Sequence, residues 1–357
     1  MRRLLTALVL PLLLLLAAPA DSRAQSAKLY VCNQGEATIS IIDMASQSVT
    51  AKVDLQARGF SENAKPHHAV AGPNGTFWYV TLIGENTILK FNQKNQIVGR
   101  ITDFEVPGLL AIHNGSNRLY VGRSMSAVDP PKSLGVIDRE QMAVTKRIDT
   151  FFPRPHPIAV REDGKRAFIA SLATNQFMGI NTETDETKLT RLGGDTQTPV
   201  QFALTPDGNT LIAGGQKTGQ LLVFDASEAP ALTVEDTIQV GKQPWHPVIS
   251  GNGTTAYVPN KASNTVSVVD LESRTVTATI KGEGLAQPHG AVLSPDGRHL
   301  FVSNNNRNGT YTPTGDNPDA GTITVIDTET NEITKIIEVG TYPSGIGTVG
   351  GQRALMP

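Results

Sequence analysis

Five of the seven histidines fall at two adjacent positions of a recurring strand start. His67, His156 and His289 stand eight residues before the glycine of the turns Pro73-Asn74-Gly75, Asp163-Gly164 and Pro295-Asp296-Gly297; Val200 and Trp245 hold the same place in two further copies. One residue later come His68 and His246, with Pro157, Gln201 and Gly290 in the other copies. Neutral imidazole is the commonest protein metal ligand, so His67, His68, His156, His246 and His289 form a candidate set for copper or zinc. A single histidine at such a strand start needs only a water or a backbone carbonyl as partner. Several at one structural level, from different copies, point to a shared role. Strict alternation along a strand would let only one of His67 and His68 face inward.

Four other residues are candidates for holding a ligand beside them. Trp245 offers a ring on which a planar molecule could stack, although packing between neighbouring units would serve it equally. Gln201, Arg154 and Arg307 offer an amide and two guanidinium groups at or near the same strand starts and their loops. Two long segments, Arg123 to Lys132 and Asn304 to Gly321, carry further polar groups suited to a lid or a bound cation, or to a solvated surface. No GxSxG, HExxH, phosphate loop or dinucleotide fingerprint is present, so no catalytic residue or nucleotide site is assigned. A single cysteine excludes CxxCH attachment of haem c and any intramolecular disulfide. Lys+Arg 31 against Asp+Glu 33 leaves no electrostatic footprint for nucleic acid.

The elements that must position these residues recur through the chain. A short apolar strand ending in Asp or Asn appears seven times, closing at Asp43, Asn92, Asp138, Asn181, Asp225, Asp270 and Asp327. Those carboxylates and amides can accept backbone N–H groups just ahead, a turn-forming role needing no chemistry. Before each lies a second strand such as Tyr79-Val80-Thr81, and after it a third with polar–apolar alternation such as Thr275 to Ile280. A proline-containing junction then opens a fourth strand that ends in a hairpin turn. Four antiparallel strands per repeat of roughly 45 residues predict propeller blades. The fold expected is all-β: a single seven-bladed β-propeller over residues 25–357. The first unit lacks its inner strand, and Pro343 to Val349 reads as that strand, so one blade is closed by both termini.

Residues 1–24 read as a targeting segment. Arg2 and Arg3 precede the apolar run Leu4 to Ala18, with small residues Ala20 and Ala24 at candidate cleavage positions. The chain is therefore expected to be periplasmic or secreted, with no membrane span once the signal is removed.

The strings Tyr30-Val31-Cys32-Asn33, Tyr257-Val258-Pro259-Asn260, Ser294-Pro295-Asp296-Gly297 and Val339-Gly340-Thr341-Tyr342-Pro343 resemble the YVTN family of β-propeller repeat proteins. Similar repeats build the propeller of nitrous oxide reductase, whose hub holds copper through histidines; the second, copper-binding domain of that enzyme has no counterpart here. The resemblance implies the fold and leaves function to the site. The expectation is a binding protein for a metal, a small ligand or a periplasmic protein partner at the channel mouth. A hub-metal lyase or oxidoreductase and a purely structural propeller are the alternatives.

Overall fold

The computed structural model describes residues 27–348 apart from Asn114 and Ala127. The expected signal segment lies outside the described residues, as does Val349 at the end of the expected closing strand. The described chain forms seven four-stranded antiparallel sheets. Blade 1 joins Pro343–Gly347 to Lys28–Asn33, Thr38–Asp43 and Ser48–Asp54, with Gly347 opposite Tyr30 and Ile346 opposite Val31. The composite blade is thus built as the sequence implies. Blades 2 to 7 follow in chain order. Their inner strands are Pro66–Ala71, Pro107–Ile112, Pro155–Val160, Pro199–Leu204, Val248–Ile249 and Pro288–Leu293. Neighbouring inner strands touch all the way round, and Pro343–Gly347 packs against those of blades 2 and 7. A Cβ on Gly347 would run into the Ala69 carbonyl, and one on Gly345 into that of His67, so only glycine allows this closure.

Apolar side chains from facing sheets fill the space between blades. Trp78 of blade 2 lies between Tyr30 of blade 1 (ring centroids 4.6 Å) and Phe91 of its own blade (4.1 Å), and Cys32 is buried in the same cluster. Outer strands are mostly exposed; in Thr275–Lys281 only Ile280 is buried. Polar outer strands protect the free edge of each sheet. All seven strand-closing Asp and Asn residues do the turn work expected of them. Asp43 accepts Ser46 N–H at 2.8 Å, Asn92 Lys94 N–H at 3.0 Å, Asp138 Gln141 N–H at 2.7 Å and Asn181 Glu183 N–H at 3.0 Å. Asp225, Asp270 and Asp327 accept Ser227, Ser273 and Glu329 N–H at 2.7–2.9 Å. The asparagines that end the strands Lys28–Asn33, Thr255–Asn260 and His299–Asn304 are equally structural. Asn33 donates to Thr38 and Ser40, Asn260 to Thr265 and Ser267, and Asn304 to Thr324.

One junction repeats in every blade and sets the geometry of the hub. The residue before each inner-strand proline is left-handed: Lys65, Val106, Arg154, Thr198, Gln243, Gln287 and Tyr342 have φ between 45° and 59°. Its carbonyl accepts the N–H of the first residue after the second strand of the same blade. The seven donors are Ile83, Ser124, Leu172, Gln216, Lys261, Asn305 and Gln34, at 2.8–3.2 Å. The bond ties the entry of the inner strand to the loop beside it, which offsets the strain of a left-handed non-glycine residue.

Candidate functional site

The sites expected to carry chemistry lie one and two residues after these prolines. There the ladder slips: the register shifts between Pro66 and His68, Pro107 and Leu110, Pro155 and Ile158, Pro199 and Phe202, and Pro288 and Ala291. A bulge frees two consecutive side chains from alternation. Both His67 and His68 consequently reach the hub, against the expectation from strand period. The His67 ring lies 5.8 Å from that of His156, and the His68 ring 6.3 Å from that of His246. His246 and His289 are 5.0 Å apart, and Trp245 is 5.0 Å from His289. Five histidines from blades 2, 4, 6 and 7 form one buried group beneath the mouth.

Their hydrogen bonds and unpartnered nitrogens show what each ring has left to offer. His68 Nδ1 accepts Leu110 N–H at 3.2 Å, so its proton sits on Nε2. His67 Nδ1 approaches Gln34 Oε1 at 3.5 Å, and its Nε2 has no protein partner. His156 Nδ1 is 2.6 Å from Ser124 Oγ. His67 Nε2, His68 Nε2, both nitrogens of His246, His289 Nδ1 and Trp245 Nε1 are buried without a protein partner. Burial holds all five imidazoles neutral. It lowers His67 to about 4, and burial, followed by the repulsion a protonated His67 would exert, lowers His68 to about 3. His156, His246 and His289 are lowered by burial first, then by neighbouring histidines and by Arg154 or Lys261.

Above this floor the rim is cationic and aromatic. Lys261 Nζ lies 4.4 Å from the Trp245 ring centroid and 5.9 Å from that of Tyr342, and the Arg307 guanidinium lies over Tyr342 at 5.0 Å. Arg154 turns inward, its Nε donating to Ser124 O at 2.9 Å. No ion pair among the described residues includes Lys261, Arg307 or Arg154. Three carboxylates at loops of this face are engaged elsewhere: Glu36 with Lys52 (2.7 Å), Glu105 with Arg123 (2.6 Å), and Glu338 with Tyr311 Oη (2.8 Å) and Thr314 N–H. Glu338, on the outer strand Ile333–Thr341 of the same blade, holds down the long loop after Asn304.

Of the four residues expected to hold a ligand, Trp245, Arg154 and Arg307 border the mouth. Gln201 sits deeper, with Oε1 accepting Ile158 N–H (3.3 Å) and Phe202 N–H (3.0 Å). It also lines a cavity of about 100 Å³ toward the far end of the hub, walled by aliphatic residues such as Leu110, Ile158 and Val248. Two rim residues escape a reading of strand starts alone, Lys261 and Tyr342. Lys261 is the first residue after a second strand, at the place Gln34, Ser124 and Asn305 hold in other blades. Aligning those strand ends would have found it. Among the described residues no group of three or more His, Cys, Asp or Glu side chains is arranged to hold a metal ion.

Seven closed blades around a histidine-floored hub define a seven-bladed β-propeller with one polar mouth. The chain belongs to the lactonase, seven-bladed β-propeller family, whose model matches residues 96–344. Solved structures share the fold at low identity. A functionally unknown protein from Desulfotomaculum acetoxidans is 15% identical with a TM-score of 0.72, over 90% of this chain and 99% of that one. Kuenenia stuttgartiensis hydrazine synthase is 17% identical, TM-score 0.65, over 84% and 92% of the two chains. The dihydro-haem d1 dehydrogenase NirN is 14% identical, TM-score 0.58, over 90% and 75%. No curated protein sequence matches the chain.

Proposed function

We propose that this protein is exported and binds a small organic anion at the mouth of its hub. The observation carrying the reading is the excess of donors and cations there. Trp245 Nε1–H and His68 Nε2–H are buried without acceptors, and Lys261, Arg307 and Arg154 lack acid partners. A buried donor left unpaired costs about 1–3 kcal/mol, which an acceptor-rich ligand would recover. Trp245 and Tyr342 flank the cations and suit a planar portion of such a ligand. The basic, then apolar, N-terminal residues support export.

The test is calorimetry and thermal shift with a panel of carboxylates, sugar acids and phosphate esters, run beside copper and zinc. Saturable binding of one anion class, lost in Arg307→Ala and Trp245→Ala, supports the proposal. Stoichiometric metal with no anion response would replace it with a metal-binding reading, for which His67 Nε2, His246 and His289 Nδ1 are the available donors.

A second reading follows from the family's description as lactonase. Opening a lactone yields a carboxylate, which the same donors would receive. In this reading His67 Nε2, which has no protein partner, would take a proton from an attacking water. Acid release from a lactone panel, measured by titration at constant pH, tests it; loss in His67→Gln is the expected outcome.

A further inference from the structure

We propose that Lys261 forms an imine with the carbonyl group of an oxo acid held in the mouth, an inference that rests on the anion-binding reading above. The geometry is that of an amine kept from every ordinary partner. Main-chain bonding fixes the residue, its N–H donating to Gln243 O at 2.8 Å. Its side chain then lies across Trp245, with Nζ near Tyr342 and the Arg307 guanidinium on that same ring. The other well-buried lysine of the described chain, Lys90, has an acceptor, its Nζ donating to Arg139 O at 2.6 Å, and lysines such as Lys217 and Lys242 are exposed to water. Lys261 is half-buried and has neither an acid nor a hydrogen-bond acceptor, so among the described residues only the Trp245 and Tyr342 ring faces stabilise its ammonium form.

Burial first, and the Arg307 charge second, bring its pKa down to about 8. At pH 7.5 about a quarter of the side chain is then free amine, against roughly 0.1% for a solvated lysine. A desolvated lysine beside a second cation is the arrangement that activates an amine toward carbonyls. Arg307, on the same Tyr342 ring, supplies the charge for the carboxylate of the same substrate, and Trp245 and Tyr342 flank the amine.

The step balances without any further reactant. The free amine attacks the carbonyl carbon, and the carbonyl oxygen takes up protons and departs as water. The ammonium form and the carbonyl compound thus yield a protonated imine and one water. Charge is conserved, and nothing is oxidised or reduced. The positive imine stays beside Trp245, where the ammonium lay before it.

The experiment treats the full mature chain with glyoxylate or pyruvate and sodium borohydride at pH 7.5, followed by intact mass and peptide mapping. One reduced adduct at Lys261 is expected, labelled about tenfold or more above the exposed Lys217 and Lys242. Lys261→Arg keeps the charge, lacks the amine and should abolish that adduct. Calorimetry with the same oxo acids separates the two proposals. Binding without a trapped adduct at Lys261 overturns the imine and leaves the anion site standing. Absence of both binding and adduct overturns the imine, and overturns the anion reading as well when the carboxylate, sugar-acid and phosphate-ester panel also fails to bind. Adducts spread evenly over lysines overturn the imine, whatever the binding result.

Discussion

Lowering the pH from 7.5 to 5.0 should destabilise the protein through its hub histidines, by an amount the structure allows to be worked out. His67 is neutral when folded, with its pKa pushed down to about 4 by burial, and takes its proton near 6.5 once unfolded. Its contribution to stability is therefore complete above pH 6.5 and is lost progressively as pH falls toward 4. The unfolded chain binds the proton first, so stability falls with pH in this window. Integrating between these values gives a loss of about 2 kcal/mol at pH 5.0 relative to pH 7.5. His68, lowered to about 3, loses about 2 kcal/mol over the same interval, and His156, His246 and His289 act in the same direction. Carboxylates do not confuse the interval. Those whose pKa is lowered, such as Asp138 and Asp327, begin to matter only near and below pH 4. Urea unfolding followed by the fluorescence of Trp78 and Trp245, at pH 7.5 and 5.0, is the assay. The wild type should lose at least about 4 kcal/mol, and His67→Gln about 2 kcal/mol less than that across the same two pH values. Parallel losses in the two proteins would refute the idea that His67 is held neutral by burial.

Three further outcomes follow from the same structure. Deleting residues from Pro343 onward removes the inner strand of blade 1, the Ser303–Ser344 bond at 2.7 Å and the buried Ile346; soluble folded protein should be lost, as judged by size-exclusion chromatography and circular dichroism. Trp78→Ala empties the stack between Tyr30 and Phe91 and should cost about 3–5 kcal/mol in urea unfolding, whereas an effect under about 1 kcal/mol would mean the stack does not join blades 1 and 2. An anion that binds at the mouth should raise the histidine pKa values beneath it, so thermal stabilisation by saturating ligand should be larger at pH 5.5 than at 7.5; equal shifts would place the anion away from the hub.

The repeat made most of the architecture readable. Hairpin turns such as Pro295-Asp296-Gly297 fix the end of an inner strand, and counting back from them reaches the hub level whatever residue stands there. The missing inner strand before Lys28 and the spare one at Pro343 could be matched for the same reason. Reading failed where local geometry departs from the period. Alternation separates His67 from His68, but the bulge after Pro66 turns both inward, and no residue type at that position announces it. Gln201 was legible as a hub residue; its role was not, because two backbone N–H groups from different strands converge on its Oε1 only in the assembled ring. Lys261 lay on a loop that looked unremarkable beside the long segments after Arg123 and Asn304. Its importance comes from Trp245 on a neighbouring strand start and Tyr342 on another blade.

The carbonyl-to-amide bond repeated at every blade entrance has a bearing on how such rings diversify. It involves main chain alone, so the fourteen side chains flanking it, two per blade, carry no duty in holding the ring together through that bond. Lys65, Val106, Arg154, Thr198, Gln243, Gln287 and Tyr342 on one tier differ in charge, length and polarity while sharing one backbone shape. The tier formed by Gln34, Ile83, Ser124, Leu172, Gln216, Lys261 and Asn305 is equally mixed. The mouth behaves as a keyboard on a fixed frame, in which a new recognition surface arises by exchanging keys one blade at a time. A frame of this kind can keep its shape at 15% identity while the chemistry it presents is rewritten.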